Sequence, residues 1–171
     1  MTFKTSYEQG LTRIRRIMAK FYVFKEGFHK EVKRVKLMTK EIEGLFKKLG
    51  RQGKVDDPIV VAKFFNPTGA GTWFATELIY VIKRTDEDGE PETLEVEASK
   101  IDQFKDYEVI DKLFFGYVSI FGDHNDEWGY FSLSELQSVK CPPFGLGIER
   151  DLYFDPKPIS KVCPKALIST P

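Results

Sequence analysis

The sequence predicts an α+β protein in which basic, amphipathic N-terminal helices precede a mostly antiparallel β-meander sheet and one short helix. Three observations support this class. Apolar residues recur every seven positions through the first 50 residues, with no proline before Pro58. After Pro58 the apolar segments become short, β-branched and aromatic, and turn sequences separate them. A capping-box sequence then marks one late helix. Helices followed by a run of strands are typical of the α+β class.

The first 50 residues predict two helices that share one apolar stripe. The residues at every seventh position are Tyr7, Ile14, Phe21, Phe28, Val35, Ile42 and Leu49. Gly27 and Thr39 interrupt the pattern, and Thr39 has the chemistry of an N-cap. We therefore expect a long helix to about residue 36 and a shorter one over 40–49. The stripe is suited to a coiled coil between copies, to packing on the rest of the chain, or to a partner.

Five segments after Pro58 predict strands: 59–65, 72–84, 93–98, 113–121 and 128–131. The first two flank NPTGAG, a sequence typical of a loop. The fourth is apolar at nearly every position, so we expect it to be central and covered on both faces. The fifth is its predicted hairpin partner. Between the third and fourth, only a helical turn around Ile101 and Phe104 is indicated.

The sequence after the strands predicts one helix and little else that is regular. Ser132 and Glu135 form the capping-box pattern before a helix over 133–139. Residues 141–147 predict a loop and 148–154 an extended segment. We divide the chain into an N-terminal basic helix (1–36), an α+β domain (37–155) and a proline-bearing C-terminal tail (156–171), which we expect to be loose.

Composition restricts the class of protein. Hydrophobic residues make up 42% of the 171 residues, and 15 phenylalanines favour a folded interior over disorder. No apolar run reaches the roughly 18 residues of a membrane helix. The N-terminus lacks the apolar core of a signal peptide, and two cysteines indicate no disulfide framework. A soluble protein of the reducing cytoplasm is therefore expected.

The charges are divided unevenly along the chain. Residues 1–54 carry 15 Lys and Arg against 5 Asp and Glu, and residues 55–171 carry 11 against 21. The basic part is suited to nucleic acid or an acidic protein partner, and equally to the acidic remainder of the chain or to solvent. The candidate contact residues are Arg13, Arg15, Arg16, Lys20, Lys30, Lys33, Arg34 and Lys36.

The segment DHNDE (123–127) contains one of the two histidines, and it raises the question of a metal or catalytic site. Neighbouring residues of an extended chain point in opposite directions, so the five side chains cannot all face one ion. The acidic positions also lack the glycine and distant glutamate of a calcium loop. Because an apolar segment enters and WGYF leaves, this stretch is interpreted as a hairpin turn.

Three further segments carry a resemblance to a known family: WFATE (73–77), GYFSLSEL (129–136) and IERDLYF (148–154). With the residues around them, from about 37 to 154, they resemble the domain of unknown function 2958 family. These are small proteins encoded among phage, conjugative-plasmid and other mobile-element genes. The segment 78–111 is longer than the family pattern, and residues 1–36 lie outside it. The resemblance implies a mobile-element origin and a compact α+β domain, and it implies no reaction.

Two of these segments supply the best candidate site. Glu77 is predicted to lie inside a strand, on one face with Trp73, Ala75, Ile79 and Val81. A carboxylate buried there costs several kcal/mol unless it is paired. Arg150 is suited to bind it bidentately, with Glu149 and Asp151 beside that arginine.

This grouping has two interpretations. As a structural ion pair, it would fix the C-terminal segment to the sheet. As a site for metal-assisted hydrolysis, it would draw on the carboxylates Glu77, Glu127, Glu149 and Asp151.

No cofactor or metal site is predicted from the remaining motifs. NPTGAG lacks the Lys and Ser or Thr of a phosphate-binding loop, and Cys141 and Cys163 lack zinc spacing. We therefore expect a non-enzymatic accessory protein of a phage or plasmid that binds a host or element-encoded protein, or nucleic acid through its basic helices. The alternative is a small metal-dependent hydrolase or nuclease.

Overall fold

The computed structural model describes residues 35–85, 89–121 and 126–168. Within them, the helices are α1 (Lys40–Leu49), α2 (Leu133–Ser138) and α3 (Ile159–Val162), with 3-10 helices over Ala98–Gln103 and Pro164–Leu167. The strands are β1 (Ile59–Val60), β2 (Ala62–Phe65), β3 (Thr72–Thr85), β4 (Pro91–Glu97), β5 (Glu108–Ser119), β6 (Glu127–Ser132), β7 (Glu149–Arg150) and β8 (Lys157–Pro158). The α+β class is confirmed.

Strand β3 is the centre of the main sheet. Most of its length, from Thr72 to Lys83, pairs with β5 on one side, while β2 and β4 share the other side end to end. The sheet order is β6-β5-β3-β2-β7, with β4 beside β3, and every pairing is antiparallel. Strands β1 and β8 form a separate two-stranded sheet. Strand β6 contains residues 128–131, which were predicted to form a hairpin with the strand before them.

A β-bulge interrupts β3 at Thr76. Ala75 pairs with Gly116 and Glu77 pairs with Phe115, so Thr76 has no register partner on β5, and only its hydroxyl donates to the Phe115 carbonyl at 3.0 Å. An extra residue reverses the alternation of faces beyond it. Before the bulge Ala75 joins the main core, and after it the even-numbered Leu78 does. Glu77 therefore shares a face with Ile79 and Val81, as predicted, but not with Trp73 and Ala75, for which the prediction was wrong.

The main core lies between α1 and one face of the sheet. Phe46 of α1 contacts Phe114, which also contacts Phe64 and Phe131, with ring centroids 5.3–5.7 Å apart. All four rings are buried. Thr39 caps α1, as predicted, and Gly50 ends it with φ 64°, a conformation that glycine adopts without a steric penalty.

The predicted apolar stripe is only partly buried in the described residues. Ile42 lies in the core, whereas Val35 and Leu49 are each more than a third exposed. The buried line of α1 is therefore Ile42 and Phe46, one helical turn apart. The other stripe residues and the predicted long helix lie outside the described residues.

The C-terminal segment covers the opposite face of the sheet. Ile159, Cys163 and Ala166 are buried against Phe74 and Tyr117. The expectation that the chain after Asp155 is loose was wrong for residues 157–168. Pro158 immediately precedes α3, and Pro164 begins the second 3-10 helix. Neither proline prevents its helix from forming and packing, because proline at a helix start removes a donor that has no intrahelical acceptor.

Local signals identified two other short elements correctly. Ser132 and Glu135 form the predicted capping box at the start of α2. The 3-10 helix Ala98–Gln103 occupies the predicted turn around Ile101.

A polar contact joins α1 to the sheet. Glu43 accepts hydrogen bonds from the Tyr80 hydroxyl and, at 3.1 Å, from the Lys112 ammonium. Burial acts to raise the pKa of Glu43, but the hydrogen bonds from Tyr80 and Lys112 outweigh it and hold that pKa below its ordinary value of 4.5. The ionised carboxylate therefore stabilises the folded state.

Removing this charge should change how stability depends on pH. The folded pKa of Glu43 lies below the unfolded value, so its contribution is present above about pH 4.5 and is lost as the pH falls through the folded pKa. The difference in the free energy of unfolding between wild type and Glu43→Gln should shrink from about pH 6 to about pH 3. Urea unfolding at several pH values measures it, and a difference that stays constant would contradict this role.

Gly116 sits where β3 and β5 approach closely. A Cβ on Gly116 would lie 2.0 Å from the carbonyl oxygen of Phe74, whereas a Cβ on Gly129, its neighbour on β6, would meet nothing within 4 Å. We expect Gly116→Ala to lower the free energy of unfolding by about 3 kcal/mol or more, as in overpacked interiors. Gly129→Ala should change it by less than about 1 kcal/mol. Equal effects in chemical unfolding would show that the sheet absorbs the extra methyl.

Candidate functional site

Glu77 is buried, but its partner is not Arg150. One carboxylate oxygen accepts a hydrogen bond from the backbone N–H of Gln52 at 2.7 Å. The other lies 3.6 Å from the guanidinium of Arg51. Arg150 instead donates from Nε to the carbonyl of Lys36 at 3.2 Å. The predicted Glu77–Arg150 pair is wrong, since β2 lies between β3 and β7 and the bulge changes the face of Glu77.

The side chain of Gln52 completes the sheet beside Glu77. Its Nε2 donates to the carbonyls of Thr76 at 2.7 Å and Ile59 at 3.0 Å, and its Oε1 accepts from the Ile59 N–H at 2.7 Å. Thr76 lies between the β3 residues that pair with β2 and those that pair with β4. A side-chain amide thus takes the place of a missing strand, which indicates a structural role.

Sequence reasoning missed Arg51 and Gln52. Both follow the glycine that ends α1, in a stretch without periodicity. A buried carboxylate needs hydrogen-bond donors, but this requirement alone does not identify which residues supply them.

The four carboxylates proposed as a metal site do not come together. Glu127 lies on β6 and Glu149 on β7, at opposite edges of the sheet and four strand spacings apart, about 19 Å. Asp151 forms an ion pair with Lys63 at 3.2 Å. Across residues 35–85, 89–121 and 126–168, no three His, Cys, Asp or Glu side chains are grouped as a metal site would need.

The hairpin at residues 123–127 is described only at its ends. β5 and β6 pair as predicted, with Val118 opposite Glu127, while Asp123, His124 and Asn125 lie outside the described residues. The buried Asp126 accepts a hydrogen bond from Ser119 Oγ at 2.8 Å and one from the Lys165 ammonium. The bond to Asp126 raises the pKa of Lys165. Asp126 therefore attaches the C-terminal segment to the hairpin.

Of the predicted basic contact residues, only Lys36 belongs to the described part of the chain, and it is exposed. Arg13, Arg15, Arg16, Lys20, Lys30, Lys33 and Arg34 lie outside the described residues.

The segment that follows β7 forms an exposed apolar turn. We call residues 151–154 the apex turn. Tyr153 is 95% exposed and Leu152 is 54% exposed. Adjacent apolar side chains in solvent make this turn a candidate contact surface.

Asp151 fixes this turn to the sheet. Its N–H donates to the Lys63 carbonyl at 2.9 Å, and one carboxylate oxygen accepts from the Tyr153 N–H at 3.1 Å. The other oxygen pairs with the Lys63 ammonium. Hydrogen bonds of its backbone therefore hold the apex turn in place and keep Leu152 and Tyr153 at the surface.

Comparison with known families gives one result. The family model described as a protein of unknown function, DUF2958, matches residues 37–86 and 105–167. The unmatched residues 87–104 contain β4 and the first 3-10 helix, and they fall within the segment predicted to be longer than the family pattern. The match extends past 154 and includes the packed C-terminal segment. No curated protein and no solved structure matches the chain. Among the described residues, no helix is long and apolar enough to cross a bilayer.

Replacing Gln52 tests its structural role. Gln52→Met keeps the length of the side chain but removes its three hydrogen bonds to Ile59 and Thr76, so buried backbone groups lose their partners. We expect the free energy of unfolding to fall by at least about 2 kcal/mol. The matched control Gln103→Met changes an exposed glutamine and should stay within about 0.5 kcal/mol of wild type. Equal effects of the two substitutions in urea unfolding would refute the role.

Proposed function

This chain belongs to the DUF2958 family of proteins of unknown function, and on that premise we propose that it is a non-enzymatic interaction protein that binds a protein partner through the apex turn. We further propose that it serves a phage or plasmid in the host cytoplasm, since the family resemblance points to mobile elements. Its partner would be a host protein or another protein of the element.

One observation carries this proposal: Tyr153 stands almost fully in solvent on a turn that hydrogen bonds hold in place. Aromatic side chains contribute large contact areas and dominate the affinity of many protein interfaces. A fixed turn loses little conformational entropy on binding. The surrounding residues 148–154 belong to the part of the chain that the family shares.

The net charge of residues 55–171 gives nucleic acid less support as a partner of this part of the chain. These residues carry ten more acidic than basic side chains, and an excess of negative charge disfavours contact with phosphates. Nucleic acid remains the second candidate for residues 1–54, because their net charge is +10.

The hydrolase or nuclease alternative has less support. It requires Glu77, Glu127, Glu149 and Asp151 to act at one place. Glu77 binds the Gln52 backbone, and Glu127 and Glu149 lie at opposite edges of the sheet.

A pull-down with matched variants tests the proposal. The full chain, Tyr153→Ala and Tyr130→Ala are immobilised and exposed to host lysate, with and without nuclease. Tyr130 is a suitable control because it is 59% exposed and lies on β6, at the other edge of the sheet. Tyr153→Ala should reduce recovery of the specific partner by about tenfold or more, as expected for an interface hot spot. Tyr130→Ala should retain it.

Two outcomes would contradict this proposal. A partner held equally by wild type and Tyr153→Ala would place the binding surface elsewhere. Loss of all captured protein after nuclease treatment would favour the nucleic-acid candidate. Unfolding midpoints of the three proteins should agree, so that loss of binding is not loss of the fold.

A further inference from the structure

A cleft of about 310 Å³ opens beside the apex turn. It lies between the β2–β7 edge of the main sheet and the C-terminal segment, and residues from both line it. Its volume is at the lower end of that of small-ligand sites. A single side chain or a small acid fits such a space.

Three apolar side chains form walls of the cleft, beside the charged side chains of Lys63, Asp151 and Lys157. Phe74 of β3, which is 7% exposed, forms one wall of the cleft. Phe154 of the apex turn and Val162 of α3 form the others. Both of these pack on the buried cluster that contains Phe74. These walls are held by the core, so the cleft exists before a ligand enters.

The charged side chains at the cleft do not balance. Lys63 is paired with Asp151 at 3.2 Å, which leaves that pair neutral. Lys157 forms no ion pair with any residue in the described part of the chain, and its ammonium lies 5.3 Å from the centroid of the Phe154 ring. A cation over an aromatic face is held in position without being neutralised. One positive charge therefore remains beside the apolar walls formed by Phe74, Phe154 and Val162.

We propose that this cleft binds an apolar group that carries a single carboxylate, with the apolar part against Phe74, Phe154 and Val162 and the carboxylate on Lys157. One free ammonium matches one negative charge, and a hydrogen bond between ionised groups is stronger than a neutral one. The inference that this site recognises a carboxylate of the protein partner rests on the proposed function. Binding of a small carboxylate to the cleft is tested without a partner.

Small probes test the chemistry directly. The full ¹⁵N-labelled chain is titrated with 3-phenylpropionate, with its neutral amide 3-phenylpropanamide and with inorganic phosphate, and amide shifts are followed by NMR. The shifts caused by 3-phenylpropionate should cluster at residues 63, 74, 151–155, 157 and 162. Its affinity should exceed that of the amide by about fivefold, the scale of one partly exposed ion pair. Phosphate, which lacks an apolar part, should bind more weakly than either.

Two variants test whether the charge of Lys157, and not the shape of the cleft, causes the preference for the carboxylate. Lys157→Gln should abolish the preference for the carboxylate over the amide while both still bind. Lys161→Gln is the control, because Lys161 is exposed on α3 and does not line the cleft. It should keep the preference.

Equal affinities of acid and amide in wild type, shifts spread over the surface, or a preference that survives in Lys157→Gln would each overturn the proposal. So would tighter binding of phosphate than of the acid. These results are independent of the pull-down. A carboxylate site without a captured partner would remove the proposed function alone, and a partner without carboxylate preference would remove this inference alone.

Discussion

The fold depends on the hydrogen bond and the positive charge that the buried carboxylate of Glu77 receives from the loop after α1. Glu77 lies in the middle strand of the sheet with only 3% of its surface exposed, and an unpaired charge there would cost several kcal/mol. The backbone N–H of Gln52 donates to it at 2.7 Å, and Arg51 adds its positive charge at 3.6 Å. The chain that leaves α1 must therefore turn at Gly50 and run to β3. That path sets α1 against the sheet, where Phe46 fills the centre of the main core.

The same contact leads to the C-terminal segment and to the proposed binding surface. Gln52 bonds the backbone of Ile59, and Ile59 pairs with Pro158 of β8. Next to it, the Asp57 carboxylate accepts hydrogen bonds from the backbone N–H and hydroxyl of Ser160, which hold the pKa of Asp57 below its usual value. The loop after α1 thus fixes the start of α3, which supplies one wall of the cleft. The loop after α1 and the proposed site are therefore connected, because the loop positions residues that line the cleft.

Much of this fold was accessible from the sequence, because its signals are local. The Thr39 cap, the Ser132 capping box and the β5–β6 hairpin each depend on residues close together in the chain. The bulge at Thr76 has no such signal, and strict alternation carried through it assigned Glu77 to the wrong face. The partner of Glu77 was missed because it depends on a contact between distant segments. The packing of the tail was missed because its prolines indicated a loose chain, although the spacing of its apolar residues allowed burial at Cys163 and elsewhere.

The buried carboxylate of Glu77 holds the backbone of Gln52, and native-state amide hydrogen exchange measures this directly. Gln52 lies outside any helix or strand, so exchange as fast as in its exposed neighbour Lys54 would be expected for an ordinary loop. Our account predicts instead that the Gln52 amide is protected to within about 1 kcal/mol of the slowest amides of β3 and β5, because it opens only when the sheet does. Exchange of Gln52 at the rate of Lys54 would contradict it.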